Sequence, residues 1–249
     1  MIGLYNYALG AIFSFAVAVF IALFFVTAPY GKFLRKGWGY TIKSRWAWML
    51  MELPSPFLVF FFFIRSGRIN IVSCIFVFLW LSHYLGRTFI YPFRQAGSTK
   101  NFPLLLAAMA FLFNCMNGFV NGYGVFHIYS YSSSWLSSWQ FAAGIILFSA
   151  GFIINRVSDE KFRAFRKNNP SGYTLPQGWL FRYISCPHYL GEIIEWTGWA
   201  VMTWSLPGFA FALFTLANLY PRAIASHKWY KARFSGYPEN RKALIPYIV

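Results

Sequence analysis

Acidic side chains are nearly missing from this sequence: six Asp and Glu stand against 22 Lys and Arg in 249 residues. Charge of either sign is scarce, at 11% of the chain, where a soluble domain carries roughly a quarter. That scarcity excludes a globular domain solvated by water on all sides. Cysteine is scarce as well. Cys74, Cys115 and Cys186 lie far apart and are odd in number, which excludes a disulfide framework. Together with the four histidines they show no metal-ligand spacing, so no metal is expected. There is no basic tract standing apart from the apolar runs, so the net charge of +16 points to no nucleic-acid partner. The dinucleotide fingerprint is absent too: Gly37-Trp38-Gly39 has neither a third glycine nor a strand before it.

What the chain has in excess is apolar and aromatic surface, 58% and 23% of residues, with 30 phenylalanines. Its expected solvent is a lipid bilayer. Runs long enough to cross a hydrocarbon core of about 30 Å occupy residues 7–28, 46–64, 71 to about 91, 102 to about 125, 139–154, 185–204 and 207 to about 222. No basic residue precedes the first run, so it reads as an anchor that stays and not as a cleaved signal. Seven spans alternating from an outside (lumenal) N-terminus leave only Arg65 and Arg68 in outer loops, with the other twenty Lys and Arg inside. The positive-inside rule then places the C-terminus in the cytoplasm. The expected fold is an all-α, multi-pass membrane protein of seven helices, one domain over 1–249, without internal repeat. Gly118 and Gly122 form a GxxxG pair that reads as a helix-packing face.

Three carboxylates lie inside these spans: Glu52, Glu192 and Glu195. An ionisable group in lipid costs roughly 2.5 kcal/mol or more, so each should face a partner, a cavity or a ligand. Glu192 and Glu195 share a helical face with Trp196 and Trp199 at i,i+3 spacing. A structural ion pair with a basic neighbour would account for them; so would a polar ligand held at membrane depth. Trp48 lies one turn before Glu52, and Pro54 and Pro56 should kink the helix beyond it. In the third span Tyr84, Arg87 and Tyr91 share a face. Arg87 and Tyr91 read as interfacial anchors that snorkel, whereas Tyr84 sits deeper and could pair with Glu52.

The inner loops look like an anion site. Asn155, Asp159, Arg163 and Arg166 follow at helical spacing, then Tyr173 and the Pro176-Gln177-Gly178 turn, then Arg222, His227, Tyr230 and Arg241. Membrane topology alone explains the sign of the charges. It does not explain an Asn and an Asp among the arginines, which suit a phosphate-bearing cofactor with a ribose and a base.

Several separate blocks then make the chain similar to the steroid 5α-reductases over essentially its whole length. They are Trp48 with Glu52-Leu53-Pro54-Ser55; His83-Tyr84 followed by Arg87-Thr88-Phe89; Asn117-Gly118; Asn155 with Ser158-Asp159; Arg166; and Tyr173 with Pro176-Gln177-Gly178. Gly191-Glu192-Ile193-Ile194-Glu195-Trp196 follows, then Arg222 with His227 and Tyr230, and the closing Arg241-Lys242-Ala243-Leu244-Ile245-Pro246. The resemblance implies NADPH-dependent reduction of the C4=C5 double bond of a 3-oxo-Δ4-steroid such as testosterone or progesterone. Hydride would go to C5 while Glu52 and Tyr84 polarise the C3 carbonyl. A carboxyl desolvated among Trp48 and phenylalanines favours its neutral, proton-donating form.

The resemblance further implies that Asn155, Asp159, Arg166, Tyr173, Arg222, His227, Tyr230 and Arg241 hold the adenine, ribose and phosphates. Glu192 would meet the nicotinamide amide, and Trp48, Met109, Phe113 and Trp196 would line the steroid. His188, a further cofactor contact, stands where close relatives carry Asn, and Met109 where some carry Arg. Such an enzyme is expected as a monomer in the endoplasmic reticulum membrane of a eukaryote or the inner membrane of a bacterium. Two other readings stand beside it. The Pro187–Glu192 segment is also similar to S-adenosylmethionine-dependent methyltransferases of the isoprenylcysteine type, and a non-enzymatic sterol carrier would use its membrane acids as gating sites.

Overall fold

In lipid no water is available to satisfy backbone N–H and C=O groups, so long apolar runs close their hydrogen bonds internally as helices. The computed structural model describes residues 1–95, 98–167 and 174–249. The first helix, α1 (Ile2–Phe25), is apolar all round and turns Tyr5, Leu9, Ile12 and Ala16 inward at helical spacing. The kink expected after Glu52 is present. Helix α2 (Ser44–Glu52) stops there, and α3 (Pro54–Arg65) restarts with proline in its first turn, where the missing N–H costs nothing. The break exposes the Met51 carbonyl, which the buried Asn114 amide caps at 2.8 Å.

An Asn70/Ser73 capping box starts α4 (Ile71–Leu85). The helix widens into a π turn at Gly86–Ile90 and ends in the short α5 (Tyr91–Arg94). Strands β1 (Thr41–Lys43) and β2 (Asn101–Pro103) pair antiparallel, Thr41 opposite Pro103, a small departure from an all-α fold. Then come α6 (Leu104–Tyr123), with its own π turn at Gly124–Ile128, α7 (Trp139–Lys167), α8 (Pro187–Thr203) and α9 (Leu206–Arg233). Ser205 caps α9, so the expected tight turn between the last two helices is there. The apolar run 139–154 is the first part of α7, which continues unbroken to Lys167, so Asn155, Asp159, Arg163 and Arg166, expected in an inner loop at helical spacing, lie on the same helix.

Among the described residues, five helical segments are long and apolar enough to cross a membrane: Ile2–Phe25, Ser44–Arg65, Ile71–Arg94, Leu104–Ile128 and Trp139–Lys167. The chain is an all-α multi-pass membrane protein on that basis, with α8 and α9 packed as two further helices. The expected GxxxG face meets α3: a Cβ on Gly118 would lie 3.2 Å from the Ser55 Cα. The closest seam joins α7 to α8. A Cβ on Gly151 would lie 2.6 Å from both the Glu195 Cα and the Gly191 carbonyl, so backbone touches backbone there. That seam locks Asn155 and Asp159 in register with Glu192 and Glu195.

Candidate active site

The π turn at the end of α4 aims Arg87 inward. Its guanidinium lies 3.6 Å from Asp159 Oδ2 on α7 and 4.0 Å from Glu192 Oε2 on α8. The Trp48 and Tyr91 rings lie beneath it, at 5.2 and 4.6 Å from the guanidinium carbon, and meet each other edge-on. Only 11% of the Arg87 side chain is exposed, so the expectation that Arg87 and Tyr91 snorkel to an interface is wrong. Two carboxylates and two aromatic faces hold the cation better than a distant headgroup region would.

Glu52 ends α2 at the helix break and acts on the same guanidinium. Tyr84 is buried, stacked on Trp80 at 5.1 Å and tilted against Trp196 at 5.6 Å. Glu52, Glu192 and Arg87 are the charged groups that act on its hydroxyl. Among the described residues no direct hydrogen bond joins Glu52 to Tyr84, so the two stand as neighbours and not as a closed pair.

The two carboxylates of α8 divide their partners. Glu195 Oε1 lies 2.8 Å from His83 Nδ1, both fully enclosed, with the His83 ring against Tyr84 and Trp196. Glu192 lies instead beside Arg87 and within 3.5 Å of the Asn155 amide, which also donates to the His188 carbonyl at 2.9 Å. Glu195 thus has the structural partner expected of a membrane acid, while Glu192 faces the polar cluster.

A second band of polar groups continues from this cluster toward the chain's basic loops. Tyr189, one turn before Glu192 on α8, accepts from Arg222 at 3.1 Å, and Arg222 also lies over the Tyr30 ring at 5.0 Å. Lys32 holds its ammonium 4.0 Å from the Tyr230 ring centre and 4.7 Å from that of Trp229. Burial brings the Lys32 pKa down to about 8, with Arg166 pushing the same way and Cys186 against it. His188 stacks on Phe162 and meets Tyr189 at a tilt, and Arg166 lies over the Phe162 ring at 5.0 Å.

The remaining candidates are spread more widely. His227 Nδ1 lies 2.8 Å from both Ser185 Oγ and Tyr237 OH, and Arg241 is buried over the Tyr237 ring. These contacts, with the Ile184–Lys242 bridge, fasten the C-terminal segment to the start of α8. Trp196 sits in the aromatic core, 4.4 Å from Phe211, and Phe113 stacks on Phe214 at 3.7 Å. Met109 is 58% exposed and is not brought to the cluster, because α6 turns Asn114, Asn117 and Asn121 inward and Met109 to the other side. Tyr173 lies outside the described residues.

Sequence reasoning missed Arg87, Lys32, Tyr189 and His83 as members of this group. The helical spacing of Tyr189 and Glu192 was a signal for one of them. Lys32 looks in sequence like any topology-setting cation.

The family described as 3-oxo-5-alpha-steroid 4-dehydrogenase matches residues 100–249 of this chain. The steroid 5-alpha-reductase DET2 of Gossypium hirsutum is 44% identical over 98% of this chain and 97% of its own length. That of Arabidopsis thaliana is also 44% identical, over 92% and 90%. The 3-oxo-5-alpha-steroid 4-dehydrogenase 1 of Bos taurus is 37% identical over 95% and 93%.

Proposed function

The chain belongs to the 3-oxo-5-alpha-steroid 4-dehydrogenase family of oxidoreductases, and from that premise we propose that it reduces the C4=C5 double bond of 3-oxo-Δ4-steroids with NADPH. The observation that carries the reading is the run of polar groups in which Arg222 meets Tyr189 at 3.1 Å, Glu192 follows one turn on along α8, and Arg87 lies 4.0 Å from Glu192 with Glu52 and Tyr84 beyond it. Its donor set changes along its length in the order a nicotinamide dinucleotide requires. At the loop end stand cations backed by aromatic faces, suited to phosphates. In the middle, Asp159, Asn155 and Glu192 offer acceptors and an amide to ribose hydroxyls and a carboxamide. Tyr173, His188, His227, Tyr230 and Arg241 complete the adenosine end in this proposal.

The bound nicotinamide would supply a hydride to C5. At the inner end the chain's task is to stabilise the oxygen at C3, where negative charge gathers as the double bond is reduced. The Tyr84 hydroxyl and the Glu52 carboxyl are the donors placed for it. Tyr84 is buried against Trp80 and Trp196, with the half-buried Glu52 beside it at the helix break, and a preformed donor in such a site is worth about 2.7–4 kcal/mol of barrier. Trp48, Trp196 and Phe113 would offer the apolar walls against the steroid. Seven spans, an outside N-terminus and a cytoplasmic C-terminus would place the cofactor end of this run on the cytoplasmic side.

Two results are expected. Asp159→Ala and Arg222→Ala should each weaken NADPH binding in a titration of the detergent-solubilised protein while leaving helical content intact. Unchanged affinity in both would put the cofactor elsewhere. Lys32 is a cation below pH about 8 and neutral above it. NADPH affinity should therefore fall as pH rises through that value, and the fall should be absent from Lys32→Met. A parental affinity that stays flat through the same range would remove Lys32 from the phosphate site.

A further inference from the structure

Arg156, a residue with no part in the polar groups just described, reaches from α7 to the end of α4, between Tyr84 and the π turn that aims Arg87. Its Nη2 donates to two backbone carbonyls of α4, Ser82 at 3.3 Å and His83 at 3.0 Å. Those carbonyls lie where the helix changes its bonding. The Gly86 N–H bonds back to the His83 carbonyl, three residues away, and the Tyr91 N–H bonds to the Gly86 carbonyl, five away. A π turn of this kind leaves carbonyls short of their α-helical partners and shifts every later side chain by one position. It also lacks the regular ladder that would hold it rigid.

Gly86 makes the reach possible. A Cβ there would lie 2.8 Å from the Arg156 Cζ and closer still to Nη2, so any side chain at 86 would push the guanidinium out. On its own helix Arg156 follows Asn155 and precedes Asp159 by one turn, on the α7–α8 slab whose glycine seam allows no slippage. Its guanidinium carbon lies over the Phe152 ring, 5.0 Å from the ring centre.

We propose that Arg156, admitted by Gly86, is a positioning residue: it clamps the π turn of α4 to α7 and so fixes Tyr84 and Arg87 against Asp159 and Glu192. The inference rests on the steroid-reductase reading for what the alignment is used for, but the clamp is a statement about this chain alone. A guanidinium that only stabilised the fold could be lost without changing the rate of the folded fraction. A clamp cannot, because a displacement of about 1 Å in an oriented donor can cost up to 10²-fold in rate.

The test uses the full chain in detergent, with Arg156→Met, Arg156→Lys, Gly86→Ala and the double variant Gly86→Ala/Arg156→Met. Single-turnover oxidation of NADPH by a 3-oxo-Δ4-steroid, both saturating, should slow by roughly 10-fold or more in Arg156→Met and Gly86→Ala, with NADPH affinity kept. Arg156→Lys, which keeps the cation on a shorter stem, should recover part of the loss. The double variant should be no slower than the poorer single, since Gly86→Ala acts by evicting the same guanidinium. Hydrogen–deuterium exchange of the 84–91 amides should speed up in the same variants, whether or not steroid turns over.

Parental rates in folded Arg156→Met, losses that multiply in the double variant, or unchanged exchange over 84–91 would each overturn the clamp. If Arg156→Met did not fold, Gly86→Ala, a single added methyl, would carry the same comparison. A parental protein that bound NADPH but left the steroid untouched would defeat the proposed function instead, and the exchange measurement would still decide the clamp.

Discussion

Glu52→Gln and Tyr84→Phe are each expected to bind NADPH like the parental protein and to reduce a 3-oxo-Δ4-steroid roughly 10²-fold or more slowly. Neither side chain belongs to the loop end of the polar groups, where Lys32, Arg222 and Tyr189 gather. Glu52→Gln keeps the shape and an N–H donor but loses the acidic proton. Tyr84→Phe keeps the ring stacked on Trp80 and tilted against Trp196 and loses only the hydroxyl. Both substitutions therefore remove a donor without emptying space. The double variant should be little worse than the poorer single, because donors serving one oxygen act as a unit. Near-parental rates in both single variants would leave Glu52 as a structural membrane acid and send the search for the donor elsewhere.

Arg87→Met is expected to be more damaging to the protein as a whole. The guanidinium is shared by Asp159 of α7 and Glu192 of α8, with Glu52 of α2 acting on it as well, in a space open to little solvent. Removing one partner of a buried ion pair costs about 3–5 kcal/mol, because the charges left behind have no water to return to. Thermal unfolding should show a large loss, and the fraction that remains folded should bind NADPH weakly, since Asp159 and Glu192 lose the group that orients them. A variant as stable as the parent and as tight for NADPH would mean that Arg87 is a bystander.

Much of the architecture was legible because lipid leaves the backbone few choices. Long apolar runs had to be helices, Pro54 had to interrupt one, and an acid in the membrane had to have a partner. Glu195 found His83, and Glu192 found Arg87 and Asn155. What was not legible begins at the end of α4. Arg87 and Tyr91 share a face with Tyr84 at 3.6 residues per turn and were read as interfacial because they lie nearer the end of the apolar run; the π turn at Gly86–Ile90, which nothing in residue type announces, is where Arg87 meets its partners instead. The full length of α7 was hidden for another reason. Its last turns are polar, so hydropathy ends before the helix does. Lys32 was hidden by its company, since its aromatic surround comes from Tyr230 and Trp229 near the other end of the chain. Met109, by contrast, lies 58% exposed on α6, away from the buried Asn114, Asn117 and Asn121.

One measurement bears most directly on the central claim. NADPH carrying deuterium at the transferred position of its nicotinamide is bound to the purified protein, one equivalent of testosterone or progesterone is added, and the product is analysed for the position of the label. The account predicts oxidation of the nucleotide matched by a 5α-reduced 3-oxosteroid with deuterium at C5, in parental protein and, at a much lower rate, in Tyr84→Phe. No nucleotide oxidation on adding steroid, or deuterium found anywhere but C5, would contradict it.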